Sequence, residues 1–215
     1  CSINFFKRPY FGFVQINTYL DDTNFENIYK FNSKTDIETE IEFETKFAAQ
    51  IGEGKAISLA AGRMAFYALM KTLNIGRDDE VILQGHTCSV MPNAVLRIGA
   101  KPIFADIEED TFGLDPSSVA NNITENTKGI LAVNIFGHAA RLNELKEIAD
   151  KGGIWLLEDN AQAPAALAEG DRFTATIGKA GVFSFNRHKT MQSGEGGVVI
   201  TNDEDIAKRM TLVRN

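Results

Sequence analysis

After an irregular opening, short apolar runs alternate along the chain with stretches whose apolar positions recur at helical spacing. The runs Ala56 to Leu59, Val81 to Leu83, Ile103 to Ala105, Ile130 to Val133 and Ile154 to Leu157 read as short strands. Between them, Met64 to Leu73, Ala94 to Ile98 and Leu142 to Ala149 carry the helical period. Asp115-Pro116-Ser117 opens another short helix, with proline in its first turn. This alternation predicts βαβ units around a mostly parallel sheet flanked by helices, an α/β fold. The last third changes character: Gly181 to Phe185 and Gly197 to Thr201 read as two strands joined by a polar, glycine-rich turn, before a closing helix from about Glu204. Upstream, the polar Thr35-Asp36 followed by Ile37, Ile41, Phe43 and Phe47 predicts an amphipathic helix that ends at Gly52. Residues 1–34, rich in aromatics and Asn without clean periodicity, read as an N-terminal arm, which leaves 35–215 as the folded domain.

Composition narrows the class of partner. The 215 residues carry 22 Lys plus Arg against 29 Asp plus Glu, a formal net charge of -7. That balance argues against a general binder of phosphate backbones, so no nucleic-acid partner is expected. No apolar run nears the roughly 18 to 20 residues of a membrane span, and no basic-then-apolar leader opens the chain. A cytoplasmic, membrane-free protein is therefore the expectation. Cys1 and Cys88 are too few to form a disulfide framework. The chain opens at Cys1 without Met and closes at Arg214-Asn215 inside a predicted helix, which marks it as an expected piece of a longer protein.

In open α/β sheets, ligands gather beyond the carboxyl ends of the strands, and four such places carry candidate chemistry. At Ser58 to Phe66 a strand turns through Ala60-Ala61-Gly62-Arg63 directly into a helix, where backbone N–H groups and the positive helix end suit an anion. Small residues at such a turn also serve close packing. Glu158-Asp159-Asn160-Ala161-Gln162-Ala163 follows a buried run, and a strand-end carboxylate can hold a cationic ring nitrogen or merely cap a helix. Lys189, beyond Phe183-Ser184-Phe185 and before Gly194-Glu195-Gly196-Gly197, is a candidate Schiff-base nucleophile if partly desolvated, and a solvated surface charge otherwise. Gln84-Gly85-His86-Thr87-Cys88 offers an imidazole that could stack on a cofactor ring, although a lone His is often structural and Cys88 often a small buried hydrophobe. No paired-Cys zinc spacing, Ser/His/Asp ordering or Walker loop competes with this set, and no metal is expected.

An anion cup, a strand-end Asp and a strand-end Lys, in this order, match the needs of pyridoxal 5'-phosphate: a phosphate cradle, a carboxylate facing the ring nitrogen and an amine for the aldehyde. With Phe43-Glu44, Gly62-Arg63, Asp79-Glu80-Val81-Ile82, Asn93-Ala94, Gly99-Ala100, Asp106-Ile107, Phe136-Gly137, Glu158-Asp159 and the terminal Phe-Ser-Phe…Lys…Gly-Glu-Gly-Gly run, the sequence resembles the DegT/DnrJ/EryC1/StrS family of aminotransferases, from about Phe43 onward. The resemblance implies the large domain of a fold-type I pyridoxal phosphate transferase, with a C-terminal small domain absent from these residues. It implies an amino transfer from glutamate or glutamine to a keto-sugar, chiefly a nucleotide-linked one, in surface polysaccharide or secondary-metabolite sugar biosynthesis, by a homodimer. Lys189 would be the lysine that joins the cofactor aldehyde, and Asp159 the acid that keeps the ring nitrogen protonated. Gln162 would lie against the ring, while Gly62, Arg63 and Ser184 would hold the phosphate.

Three departures stand out. Arg63 replaces a common Thr. Cys88 stands where many members stack an aromatic ring, which leaves His86 as a possible substitute. Gly178-Lys179 replaces a common Gly-Asp, a change expected to lie outside the chemistry. Two rival readings accompany this one: a nucleotide-sugar dehydratase on the same cofactor, a branch that carries His where this chain keeps Lys189, and a noncatalytic remnant with a binding or regulatory role.

Overall fold

A computed structural model describes residues 36–52 and 54–215, so the arm expected over residues 1–34 lies outside the described residues. In chain order the elements are α1 (Asp36–Ile51), β1 (Lys55–Leu59), α2 (Gly62–Thr72), β2 (Glu80–Gln84), α3 (Val90–Arg97), β3 (Lys101–Ala105), α4 (Pro116–Asn122), β4 (Thr127–Val133), α5 (Leu142–Gly152), β5 (Trp155–Asp159), β6 (Ala180–Ser184), β7 (Gly197–Thr201) and α6 (Glu204–Arg214). The helix starts have local causes. Asp115 caps α4 by accepting from Ser117 N at 2.9 Å, with Pro116 at the first helical position. Asp203 caps α6 through Asp205 N and Ile206 N, and Gly153, at φ 62, ends α5 in a left-handed turn.

Among the described residues the strands form one sheet in the order β1-β7-β6-β5-β4-β2-β3. The strands β3, β2, β4, β5 and β6 pair in parallel, whereas β7 runs antiparallel to both β6 and β1. The sheet is therefore mixed and mostly parallel, and the hairpin-like β6–β7 pair carries the glycine-rich turn read from the sequence. Helices cover both faces, so every strand of the centre is buried on both sides and reads as an apolar run rather than an alternation. On one face α2, α3 and α6 pack over Leu83, Leu131, Leu157, Val182 and Val199. On the other, α4 and α5 pack over Ile82, Ile130, Ala132 and Leu156, and α1 covers Phe183, Val198 and Ile200. Full burial of a ring such as Phe66 or Phe183 stabilises the fold by about 2–3 kcal/mol.

One expectation needs correction. The apolar side of α1 is buried only in its second half: Phe47 and Ile51 reach the core, whereas Ile37 and Ile41 stay 69% and 57% exposed. The helix reaches the sheet at its C-terminal end through Phe47, whose ring packs edge-on against Phe183 and Phe185. Its register is fixed by Glu44, which accepts from the Ser58 amide at 2.6 Å and from Arg214 of α6 at 2.8 Å.

Candidate active site

Because side chains alternate along a strand, Leu157 and Asp159 of β5 project to the α2 face, and Leu156 and Glu158 to the other. The same alternation on β6 sends Val182 and Ser184 toward α2, and Phe183 and Phe185 toward α1. Asp159 and Ser184 therefore meet at adjoining strand ends, in front of the N-terminus of α2. That helix starts at Ala61 with no side-chain cap and no acid in its first turn, which leaves its first N–H groups open to an anion. The cup is tight. A Cβ on Gly62 would stand 2.7 Å from the Ser184 Cβ, and one on Gly197 would stand 2.5 Å from Gly62 N. Both glycines are needed for the helix end to close on β6 and β7. Arg63 extends into solvent and makes no ion pair among the described residues.

Asp159 is buried and accepts one hydrogen bond, from Ala161 N at 2.9 Å. Burial pushes its carboxyl above the ordinary range, and the Ala161 amide and the positive charge of Lys189 pull the other way. The lysine is half-buried on a braced turn. Its amide donates to Asn186 O at 2.8 Å, the Asn186 side chain accepts from His188 N, and the same side chain donates to Glu195 at 2.7 Å. Lys189 and Gln162 line one cleft of about 410 Å³, together with Phe136, Gly137, Ala161, His188 and Thr190.

The structure thus brings Lys189, Gln162 and Asp159 together, and Gly62 with Ser184. His86 is exposed and joins the cleft through its edge-on contact with the Phe136 ring, at 6.0 Å between centroids. Cys88 is a free, exposed thiol that does not line the cleft. Lys179 sits before β6, at the opposite end of the strand from Ser184, where it pairs with Asp203 at 2.7 Å and lies over the Trp155 ring. The departure at that position is structural, at a distance from the cleft.

Sequence reasoning missed two sets of residues. Phe136 and His188 line the cleft; Phe136 lies just beyond a strand end, which is the available signal. Glu158 is the other. Its carboxylate accepts from Gly178 N and Ala175 N at 2.7 Å, from Ile177 N at 3.0 Å and from Asn134 Nδ2 at 3.4 Å. Burial raises its pKa and these donors oppose the rise, so the group acts as a buried staple for the loop that leads into β6.

Comparison with known proteins decides the family. The sequence profile of the DegT/DnrJ/EryC1/StrS aminotransferase family matches residues 20–215. The chain belongs to that family. Within it, the L-glutamine:2-deoxy-scyllo-inosose aminotransferase of Streptomyces kanamyceticus is 39% identical over 80% of this chain and 40% of that protein. The GDP-perosamine synthase of Vibrio cholerae is 34% identical over 80% of this chain and 47% of that protein. Among solved structures, NtdA from Bacillus subtilis with bound cofactor PMP superposes with a TM-score of 0.74 at 28% identity, covering 87% of this chain and 42% of that one. The chain spans about half the length, or less, of the curated relatives it matches. The mostly parallel α/β fold expected from the sequence is the fold of these relatives.

Proposed function

We propose that residues 35–215 form the cofactor-binding large domain of a pyridoxal phosphate-dependent aminotransferase that moves an amino group from glutamate or glutamine to a keto-sugar. The observation that carries this reading is a half-buried Lys189 that lines one cleft with Gln162 and whose charge reaches the buried Asp159. Names of relatives support the substrate class: one acts on a keto-cyclitol with glutamine, another makes a GDP-linked amino sugar. A nucleotide-linked keto-sugar of surface polysaccharide or secondary-metabolite synthesis is the acceptor we propose. Retention of Lys189, where the resemblance gives His to the dehydratase branch, favours amino transfer. A homodimer in the cytoplasm completes the proposal. Among the described residues no helix is long and apolar enough to cross a membrane.

The residues present fit the cofactor. Gly62 packs so closely on Ser184 that a Cβ would not fit, which brings the Ser184 hydroxyl against the uncapped helix end, where the Gly62 and Arg63 amides would hold a phosphate. Arg63 brings a positive charge to the same helix end. Bound there, pyridoxal phosphate supplies an aldehyde and an electron-withdrawing ring. Asp159 holds the proton on the ring nitrogen, and its own raised pKa is relieved by that opposite charge. Gln162, which lines the cleft, would lie against the ring. Lys189 supplies the amine that holds the group, and when free it carries the proton to and from the substrate carbon.

The test is an absorption titration of the protein with pyridoxal 5'-phosphate, beside Lys189→Ala, followed by borohydride reduction and peptide mapping. A reducible adduct on Lys189, and consumption of glutamine or glutamate in equal amount to the aminated sugar, are expected. A full-length, dimeric preparation without that adduct sinks the proposal, and sugar conversion without donor consumption moves it to the dehydratase.

A further inference from the structure

Three rings gather at the mouth of the cleft. Phe136 packs edge-on against His86 at 6.0 Å and against Phe112 at 6.1 Å, and both phenylalanines remain exposed, at 62% and 45%. Their backbones are as unusual as their exposure. Phe136 and Gly137 are the central pair of a turn closed by His138 N to Ile135 O at 2.9 Å, with φ at 55 and 84; Phe112 has φ 58. Asn and Gly take such positions readily, and a β-carbon that carries a ring is strained there. Local strain together with an uncovered apolar ring marks a surface shaped for a ligand rather than for the core.

The cluster is also held from beneath. Gln84, fully buried at the end of β2, donates from one amide nitrogen to His86 O at 2.9 Å and to Phe112 O at 3.1 Å. Among the described residues its Oε1 is buried without a partner, so there the amide is oriented by these two carbonyls. One side chain thereby ties together two loops that carry rings against Phe136. Phe136 is the ring of the three that lines the cleft, together with Lys189 and Gln162. Cys88, on the same turn as His86, offers a thiol and no ring.

We propose that Phe136, backed by His86 and Phe112 and braced by Gln84, is the wall on which the flat ring of the cofactor rests in this chain, in place of residue 88. The inference rests on the proposed function, because the occupant is the ring that Lys189 would hold. A planar ligand attached at Lys189 meets Gln162 and Phe136 in the same cleft, and ring-on-ring contact rewards the exposed face that water otherwise covers.

The experiment measures the affinity of the protein for pyridoxal 5'-phosphate and the induced circular dichroism of its bound band, for the unmodified protein and for Phe136→Ala, Phe136→Trp, Gln84→Leu and Cys88→Ala. Phe136→Ala is expected to weaken binding about three- to tenfold and to change the dichroic amplitude, with Phe136→Trp restoring both. Gln84→Leu is expected to alter the dichroism in the same sense, and Cys88→Ala to weaken binding less than Phe136→Ala. Unchanged affinity and dichroism in Phe136→Ala, or a larger loss in Cys88→Ala, overturn the assignment while the borohydride adduct on Lys189 still stands. Absence of that adduct in the unmodified protein removes the functional reading itself.

Discussion

Glu158 and Asp159 are neighbours on one strand, carry the same chemical group, and are both buried and pushed toward neutrality by burial. They face opposite sides of the sheet, and that decides what each does. Glu158 is surrounded by four N–H donors, so its negative charge is used up in holding the loop that feeds β6. Among the described residues the Asp159 side chain accepts from Ala161 N alone, and it lies within reach of the Lys189 charge. A saturated buried carboxylate is a structural part, and an unsaturated one is a site awaiting an opposite charge.

The strongest way to break this comparison is at Lys189. Lys189→Ala is expected to lower amino transfer by at least about a thousandfold and to abolish the borohydride adduct, as read by single-turnover kinetics and peptide mapping. Glu158→Gln comes next, because an amide keeps one acceptor oxygen and turns its NH2 group on either the Ala175 N–H or the Ile177 and Gly178 N–H pair; chemical denaturation should show a loss of about 2–3 kcal/mol. If Glu158→Gln left stability unchanged while abolishing turnover, the two carboxylates would have exchanged roles.

Asp159→Asn separates function from stability. Turnover is expected to fall roughly a hundredfold, since the ring nitrogen loses its charge partner. Stability of the cofactor-free protein should move the other way. A carboxyl whose folded pKa is raised contributes stability below its unfolded pKa and loses it as pH rises through the folded value, so wild-type stability should decline above the ordinary carboxylate range. Denaturation curves at pH 4 and pH 7 should therefore show Asp159→Asn gaining relative to wild type only at the higher pH.

Smaller effects test the supports. In Gly197→Ala the added Cβ would meet Gly62 N at 2.5 Å, which forces the α2 terminus away from the sheet; affinity for the cofactor phosphate should drop about tenfold by titration. Lys179→Ala, at the far end of β6, is expected to cost only about 0.2–1 kcal/mol, because the pair with Asp203 is partly exposed and screened. Its signature is in pH. The Lys179 hydrogen bond holds the Asp203 carboxyl below the usual range, so the contribution is present above that range, fades as pH falls through it, and should vanish in the variant. Cofactor affinity of Lys179→Ala should match wild type.

Much of this was legible before any coordinates. Each apolar run became a strand, the central ones without alternation because they are buried on both faces, and the Asp115-Pro116 signal and the helix read from about Glu204 sit at real helix starts. Lys189, Asp159, Gln162, Gly62 and Ser184 all fall just beyond or at the ends of elements, where an α/β sheet places its ligands. Other features were opaque for physical reasons. Ile37 and Ile41 have the period of a buried face, yet burial depends on a neighbour that covers them, and spacing does not supply one. The cluster of His86, Phe112 and Phe136 joins three loops far apart in sequence, through a glutamine that reads as an ordinary polar strand end.

The sequence by itself determined the alternation of strands and helices, the family and which side chains are candidates for chemistry, because periodicity, caps and motif spacing are local properties of the chain. Tertiary structure alone decided the strand order, the reversal of β7, the closeness of Gly62 to Ser184 and the division of labour between Glu158 and Asp159. Those depend on which distant groups arrive at the same place, and on whether a buried charge finds its donors there or is left open for a ligand.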